Sequence, residues 1–224
     1  MTVEATNTTT GHVRNSTFVE KMVLNKWFWV CASVFLFAYP LLKSMGRRLP
    51  NELPVLTTLP RYSFYNETGQ SFGSSELKGK VYLVHVMSTD CTGICDISFK
   101  EVQRVQHRIR GVVDRAAIVS ITVKPEQDTA AVMTAKAREL KANPNVWRFV
   151  SGPAGETEAL IVNGLKVPNQ LGKRTTTMEE VILSNHLVLV DQEGRVRGYY
   201  PIVKDGINKL MIDIGLLINR KSKS

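Results

Sequence analysis

Val81-Tyr82-Leu83-Val84-His85-Val86-Met87, running on into Ser88-Thr89-Asp90-Cys91-Thr92-Gly93-Ile94-Cys95, is the stretch that decides the fold. The first seven residues are apolar at nearly every position, the pattern of a parallel strand buried on both faces. A helix-like pattern over residues 97–110 follows. The two cysteines therefore stand on a strand-to-helix turn. Thiols four apart on such a turn can close a disulfide or grip a soft metal, and the spacing leaves both open.

The same alternation continues outward. Residues 117–123 read as a second buried strand, broken by Lys124-Pro125-Glu126-Gln127-Asp128. Asp128 or Thr129 can cap a helix over residues 130–140. Residues 147–150 read as a strand and 156–163 as a short helix. Residues 187–190, the turn Asp191-Gln192-Glu193-Gly194, and 195–200 form a hairpin, and an amphipathic helix over 207–218 closes the chain. Upstream, Tyr62 to Tyr65 alternates weakly into the turn signal Asn66-Glu67-Thr68-Gly69. This order predicts an α/β, thioredoxin-like fold with a mixed central sheet flanked by helices. In such sheets chemistry collects beyond the carboxyl ends of the parallel strands. The cysteine loop and the 124–128 loop both lie there.

Ahead of this domain, Trp27 to Leu42 contains no charged residue and is bracketed by Lys26 and Lys43. As a helix it spans about 24 Å, close to the ~30 Å hydrocarbon core, with lysines placed to snorkel and Trp27 and Trp29 suited to an interface. It is long for a signal-peptide core and no small-x-small cleavage site follows. The expected organisation is a flexible N-terminal segment at 1–25, a single transmembrane helix at 26–43, a Pro-containing tether at 44–60, the thioredoxin-like domain at 61–219 and a basic tail at 220–224. Arg14, Lys21 and Lys26 before the span balance Lys43, Arg47 and Arg48 after it, so basic residues do not orient it.

The formal charge is +9, yet Lys and Arg are scattered and no basic helix interleaved with aromatics appears, which argues against nucleic acid as a partner. Of three cysteines, Cys31 falls within the apolar span. One remaining pair is no structural disulfide framework; it reads as a redox or metal pair, of the kind found in an exported, oxidising compartment.

With these residues in view the chain resembles the Sco/SenC family. The resemblance runs from about Leu59 to Leu217. It rests on Leu77-Lys78-Gly79-Lys80-Val81-Tyr82-Leu83, on Thr89-Asp90-Cys91 with Cys95, and on Val119 through Thr129. Trp147, Phe149, Gly152 and the stretch from Leu189-Val190-Asp191 to Tyr199-Tyr200 extend it. Family members are membrane-anchored, thioredoxin-fold, copper-binding proteins that help assemble the copper centre of cytochrome c oxidase. The resemblance therefore implies Cu(I) or Cu(II) as cofactor and Cys91 and Cys95 as metal ligands. It implies the oxidase's copper-bearing subunit, or another assembly factor, as partner.

The family's third ligand is a histidine eight residues before the position of Asp191. Leu183 stands there, and His186 is the candidate in its place. Counted along a strand, an offset of three reverses the face, so His186 serves only where a bulge or rearranged loop re-aims it. Asp96 follows Cys95 where the family often has proline, and Lys124 precedes Pro125 where it often has aspartate. Lys124 near the cysteines would favour thiolate, with Asp96 partly offsetting it. His85 reads as a core histidine, and His107 lies about 18 Å along its helix from Cys95. Three functions stand: a metallochaperone; a metal-independent thiol–disulfide oxidoreductase with Cys91 attacking and Cys95 resolving; and an assembly adaptor with neither chemistry. The expected location is a bacterial inner (cytoplasmic) membrane with the domain on the periplasmic side, or a mitochondrial inner membrane facing the intermembrane space.

Overall fold

The computed structural model describes residues 23–45, 52–169 and 171–219, without the side chains of residues 40–45. Residues 1–22 of the flexible segment expected at 1–25, the middle of the tether and the basic tail lie outside the described residues. The chain divides into two compact units, residues 1–52 and 53–224.

In the first unit, helix α1 (Lys26–Met45) forms where the apolar run predicts it. Trp27, Trp29, Val30, Phe35, Leu36, Phe37 and Tyr39 are all exposed on it. Among the described residues no helix is long and apolar enough to cross a membrane. This departs from the transmembrane helix read in the sequence. The side chains described on α1, Lys26 to Tyr39, cover only about 21 Å of rise.

The second unit is built on one eight-stranded sheet of order β1-β8-β7-β4-β5-β6-β2-β3. Its strands are β1 (Thr57–Thr58), β2 (Ser63–Asn66), β3 (Ser71–Gly73), β4 (Val81–Met87), β5 (Ala116–Thr122), β6 (Trp147–Ser151), β7 (His186–Val190) and β8 (Arg195–Pro201). β4, β5 and β6 are mutually parallel. β7 runs antiparallel to β4 and to β8, and β2 antiparallel to β6 and to β3. The sheet is mixed, as the strand and helix order implies. The segment read as tether enters it, because Thr57 and Thr58 pair with β8.

All seven residues of β4 are buried, as are all seven of β5. Their alternate side chains feed two cores. Val81, Leu83 and Met87 meet Phe99, Val102, Val105 and Ile109 of α2 (Ile94–Ile109), together with Leu210, Ile214 and Leu217 of α6 (Lys204–Asn219). Tyr82, Val84 and Val86 face the other way, onto Phe64 of β2 and onto Ile161 and Leu165. The last two belong to a π-helical segment, Ala159–Leu165, that continues α4 (Ala154–Glu158). Each fully buried aliphatic or aromatic side chain contributes about 1.5–3 kcal/mol, so burial on both faces makes β4 the axis of the fold. The remaining helices are α3 (Ala130–Glu139) and α5 (Met178–Ser184).

Candidate metal and thiol site

Beyond Met87 the chain leaves the sheet and turns into α2 through Gly93, whose φ of 70° lies where a side chain would be strained. The Gly93 amide donates to the Asp96 carboxylate at 3.0 Å, so Asp96 serves the helix start. α2 begins at Ile94, three residues earlier than the sequence pattern suggests, which puts Cys95 in its first turn. Cys91 and Cys95 are joined in a disulfide with Cα atoms 5.7 Å apart. Cys95 is buried, while Cys91 is only partly covered.

One buried carboxylate holds the base of this loop. Asp128 accepts from the Thr89 hydroxyl and, at 3.3 Å, the Thr89 amide, and from the Thr122 hydroxyl at the end of β5. The adjoining helix is capped by Thr129, whose hydroxyl accepts from the Val132 amide, and this leaves Asp128 to the loop. Lys124 lies at the cysteine loop, but its ammonium donates to Asp90 at 2.7 Å. That hydrogen bond, with a further one from Ser88, holds the Asp90 carboxyl below its usual range. Asp90, not Asp96, therefore offsets the lysine.

Because β7 is antiparallel to β4, its first residue lies at the carboxyl end of β4, beside the cysteine loop. That residue is His186. His186, Cys95, Ile94, Ser98, His85, Val86, Ile182 and Asn185 line one small pocket of about 10 Å³. His186 is half-buried, and its Nδ1 is buried with no hydrogen-bond partner. Burial lowers its pKa from the ordinary value, with the Ser184 backbone acting in the other direction. Alternation counted back to residue 183 does not apply here. Residues 178–184 are helical, and Asn185 closes that helix in the left-handed region (φ 52°), so the strand begins afresh at His186. Leu183 stands exposed on α5. Among the described residues no three His, Cys, Asp or Glu side chains stand ready as a metal-ligating group; in the disulfide both sulfurs are committed to each other.

His85 is the structural histidine of this site. It is 1% exposed, with Nδ1 3.1 Å from the Ser120 hydroxyl and Nε2 3.0 Å from that of Ser98. Ser98 donates its proton to the Cys95 carbonyl, so it must accept from Nε2–H. Ser120 accepts from the Trp147 indole and is free to donate to Nδ1. The neutral ring is thus fully satisfied, and burial pushes its pKa down to about 3. The unfolded chain binds a proton near the ordinary 6.5 and the fold does not. Stability is therefore lost as pH falls from about 6.5 toward 3, by about 1.4 kcal/mol per unit from this group. Denaturant midpoints measured between pH 7 and 4 check this: in His85→Gln the slope is smaller by one proton.

Tyr199 and Tyr200 hold structure, the first donating to the Leu165 carbonyl and the second to Asp213. His107 is exposed on α2, away from this pocket. The sequence reading missed α5 and the Lys124–Asp90 pair. Thr177 followed three residues on by Glu180 is the capping-box signal that marks the start of α5.

A family model for SCO1/SenC matches residues 52–214. The SCO1 protein homolog of Bacillus subtilis (strain 168) is 24% identical over 145 residues, 64% of this chain and 74% of that protein. Among solved structures, BsSco, a member of the Sco family of cytochrome c oxidase assembly proteins in which a disulfide switch was identified, superposes with a TM-score of 0.61. It is 21% identical, over 75% of this chain and 98% of its own. Bradyrhizobium japonicum ScoI with copper bound gives 0.55 at 22% identity, over 72% and 99%. With the family match covering most of its length, the chain belongs to the SCO1/SenC family.

Proposed function

We propose that this protein handles copper for assembly of the copper centre of a cytochrome c oxidase, through the thiolates of Cys91 and Cys95 and the imidazole of His186. The observation that carries the reading is that His186, half-buried at the start of β7, and Cys95 of the thiol turn line the same pocket. Two thiolates and one neutral imidazole form a soft donor set that suits copper. The relatives solved with copper bound, and those described as oxidase assembly proteins, support the same reading.

Loading follows reduction of the disulfide, which takes two electrons and two protons from a dithiol reductant. The incoming thiolate attacks the more exposed Cys91 sulfur, Cys95 leaves as thiolate, and the reductant's second thiol resolves the mixed disulfide. Titration of reduced residues 53–224 with Cu(I) against a competing chelator, without oxygen, tests the proposal. One tightly held copper per chain is expected; binding no tighter than to a double cysteine variant overturns it. The disulfide itself favours a second reading, metal-independent thiol–disulfide exchange. That reading predicts turnover of a disulfide substrate by copper-free protein. A chain that neither binds copper nor exchanges thiols is an adaptor.

The reading includes attachment to a membrane through α1, with the thiol domain on the side away from the cytoplasm. The exposed apolar side chains around α1 support it, since such a surface is stable in lipid and not in water. The full chain is expected to stay in the membrane fraction through a carbonate wash while residues 53–224 do not. Release of the full chain by that wash sinks the anchor.

A further inference from the structure

We propose that the groove between α2 and α6 docks an acidic, partly apolar segment of a partner protein. The groove holds about 510 Å³ and is lined by Glu101, Arg104, His107, Arg108, Lys204 and Ile207. That volume falls within the range of about 300–1,000 Å³ typical of ligand sites. Its charges are unbalanced. Glu101 is engaged by Arg104. Arg108 and Lys204, on opposite helices, have no ion pair among the described residues, and Arg108 reaches only Asn208, at 3.5 Å. Ile207, largely buried in the core, supplies an apolar patch of the lining, and the aliphatic stems of arginine and lysine can extend such a surface.

A lining of free basic side chains with an apolar patch matches a segment that carries carboxylates and a few apolar side chains. Arginine takes a carboxylate through paired hydrogen bonds. A concavity between two packed helices admits a peptide, whereas a flat bilayer surface stays outside it. The chain's own tail, Arg220-Lys221-Ser222-Lys223, has the same sign as the groove and does not complement it. α2 also carries Cys95, and the groove's lining on this helix starts at Glu101 and runs to Arg108, about 9 to 20 Å of helical rise beyond Cys95, so an occupant docks apart from the thiols. The groove thus supplies docking separate from the chemistry, and its test does not involve copper.

The experiment uses residues 53–224, a compact unit of the chain, in the oxidised, metal-free form; solved structures similar to this chain match about three quarters of it over nearly their whole length. The probe is a short fluorescent peptide of glutamates interspersed with phenylalanines. Controls are the same peptide with lysine for glutamate, and vesicles rich in phosphatidylglycerol. Saturable binding of the acidic peptide is expected. Arg108→Glu with Lys204→Glu should weaken it about tenfold or more, as should raising salt from about 50 to about 500 mM. Both substitutions are on exposed side chains, so an unchanged melting temperature separates lost docking from lost folding. Absence of saturable binding, or equal binding by the charge-reversed variant, overturns the proposal. Charge-sensitive sedimentation with the vesicles, without peptide binding, overturns it in favour of a lipid surface.

Discussion

Replacing Cys91 with serine is expected to lower Cu(I) affinity by on the order of a hundred- to a thousandfold, and Cys95→Ser by as much. The magnitude follows from dividing a tight site's ~10–16 kcal/mol among its few ligands, which leaves several kcal/mol for each thiolate, at 1.4 kcal/mol per decade. Serine is nearly isosteric but stays protonated at neutral pH, so it supplies no anion for a soft cation. His186→Ala removes a neutral donor and leaves both thiolates, so its loss is smaller, about ten- to a hundredfold. Chelator competition on the three reduced variants gives the ranking. A His186→Ala protein that holds copper as tightly as the unaltered chain would remove His186 from the ligand set and leave the thiol pair standing.

The largest loss of stability is expected from Asp191→Ala. Asp191, 1% exposed, closes the β7–β8 turn. It accepts from the amides of Glu193 and Arg195, from Arg195 Nε at 2.8 Å and from Arg197 Nη1 at 2.9 Å. Arg197 is itself 3% exposed, and its other contact is the Leu53 carbonyl. Deleting the carboxylate strands that guanidinium in the interior, which costs about 3–5 kcal/mol. Against a typical total of about 5–15 kcal/mol, this lowers the melting temperature of a domain this size by about 6–20 °C. Calorimetry on residues 53–224 checks it. Asp191 and His186 sit at opposite ends of β7, so the folded fraction should bind copper unchanged. A shift under about 2 °C would mean that Arg197 finds water or another partner.

The central fold was legible because β4 and β5 carry their burial in their composition. A strand covered on both faces is apolar at most positions, with its few polar ones paired as His85, Ser120 and Thr122 are, and residues 81–87 match the observed strand end to end. The thiol pair was legible for a similar reason, since its spacing and its place between strand and helix are local properties. The histidine was not. Whether His186 reaches the pocket depends on where α5 stops and β7 starts, and that boundary is set by the left-handed turn at Asn185, not by periodicity. The Lys124–Asp90 pair joins two loops 34 residues apart, a separation that sequence pattern does not bridge. Thr57 and Thr58 escaped notice because two residues show no alternation; pairing with β8 alone makes them a strand.

The pocket draws mainly on two stretches far apart in sequence, the start of α2 with Cys95 and the end of α5 running into β7, with His85, Val86 and Ile202 completing it. The first is pinned at its base by Asp128, while the second reaches it through the pairing of β7 with β4 and the packing of Ile182 on the core. In evolutionary terms the two halves are separable. Insertions, deletions or shifts in the helix-to-strand connection can move, lose or regain the histidine while the thiol turn stays intact.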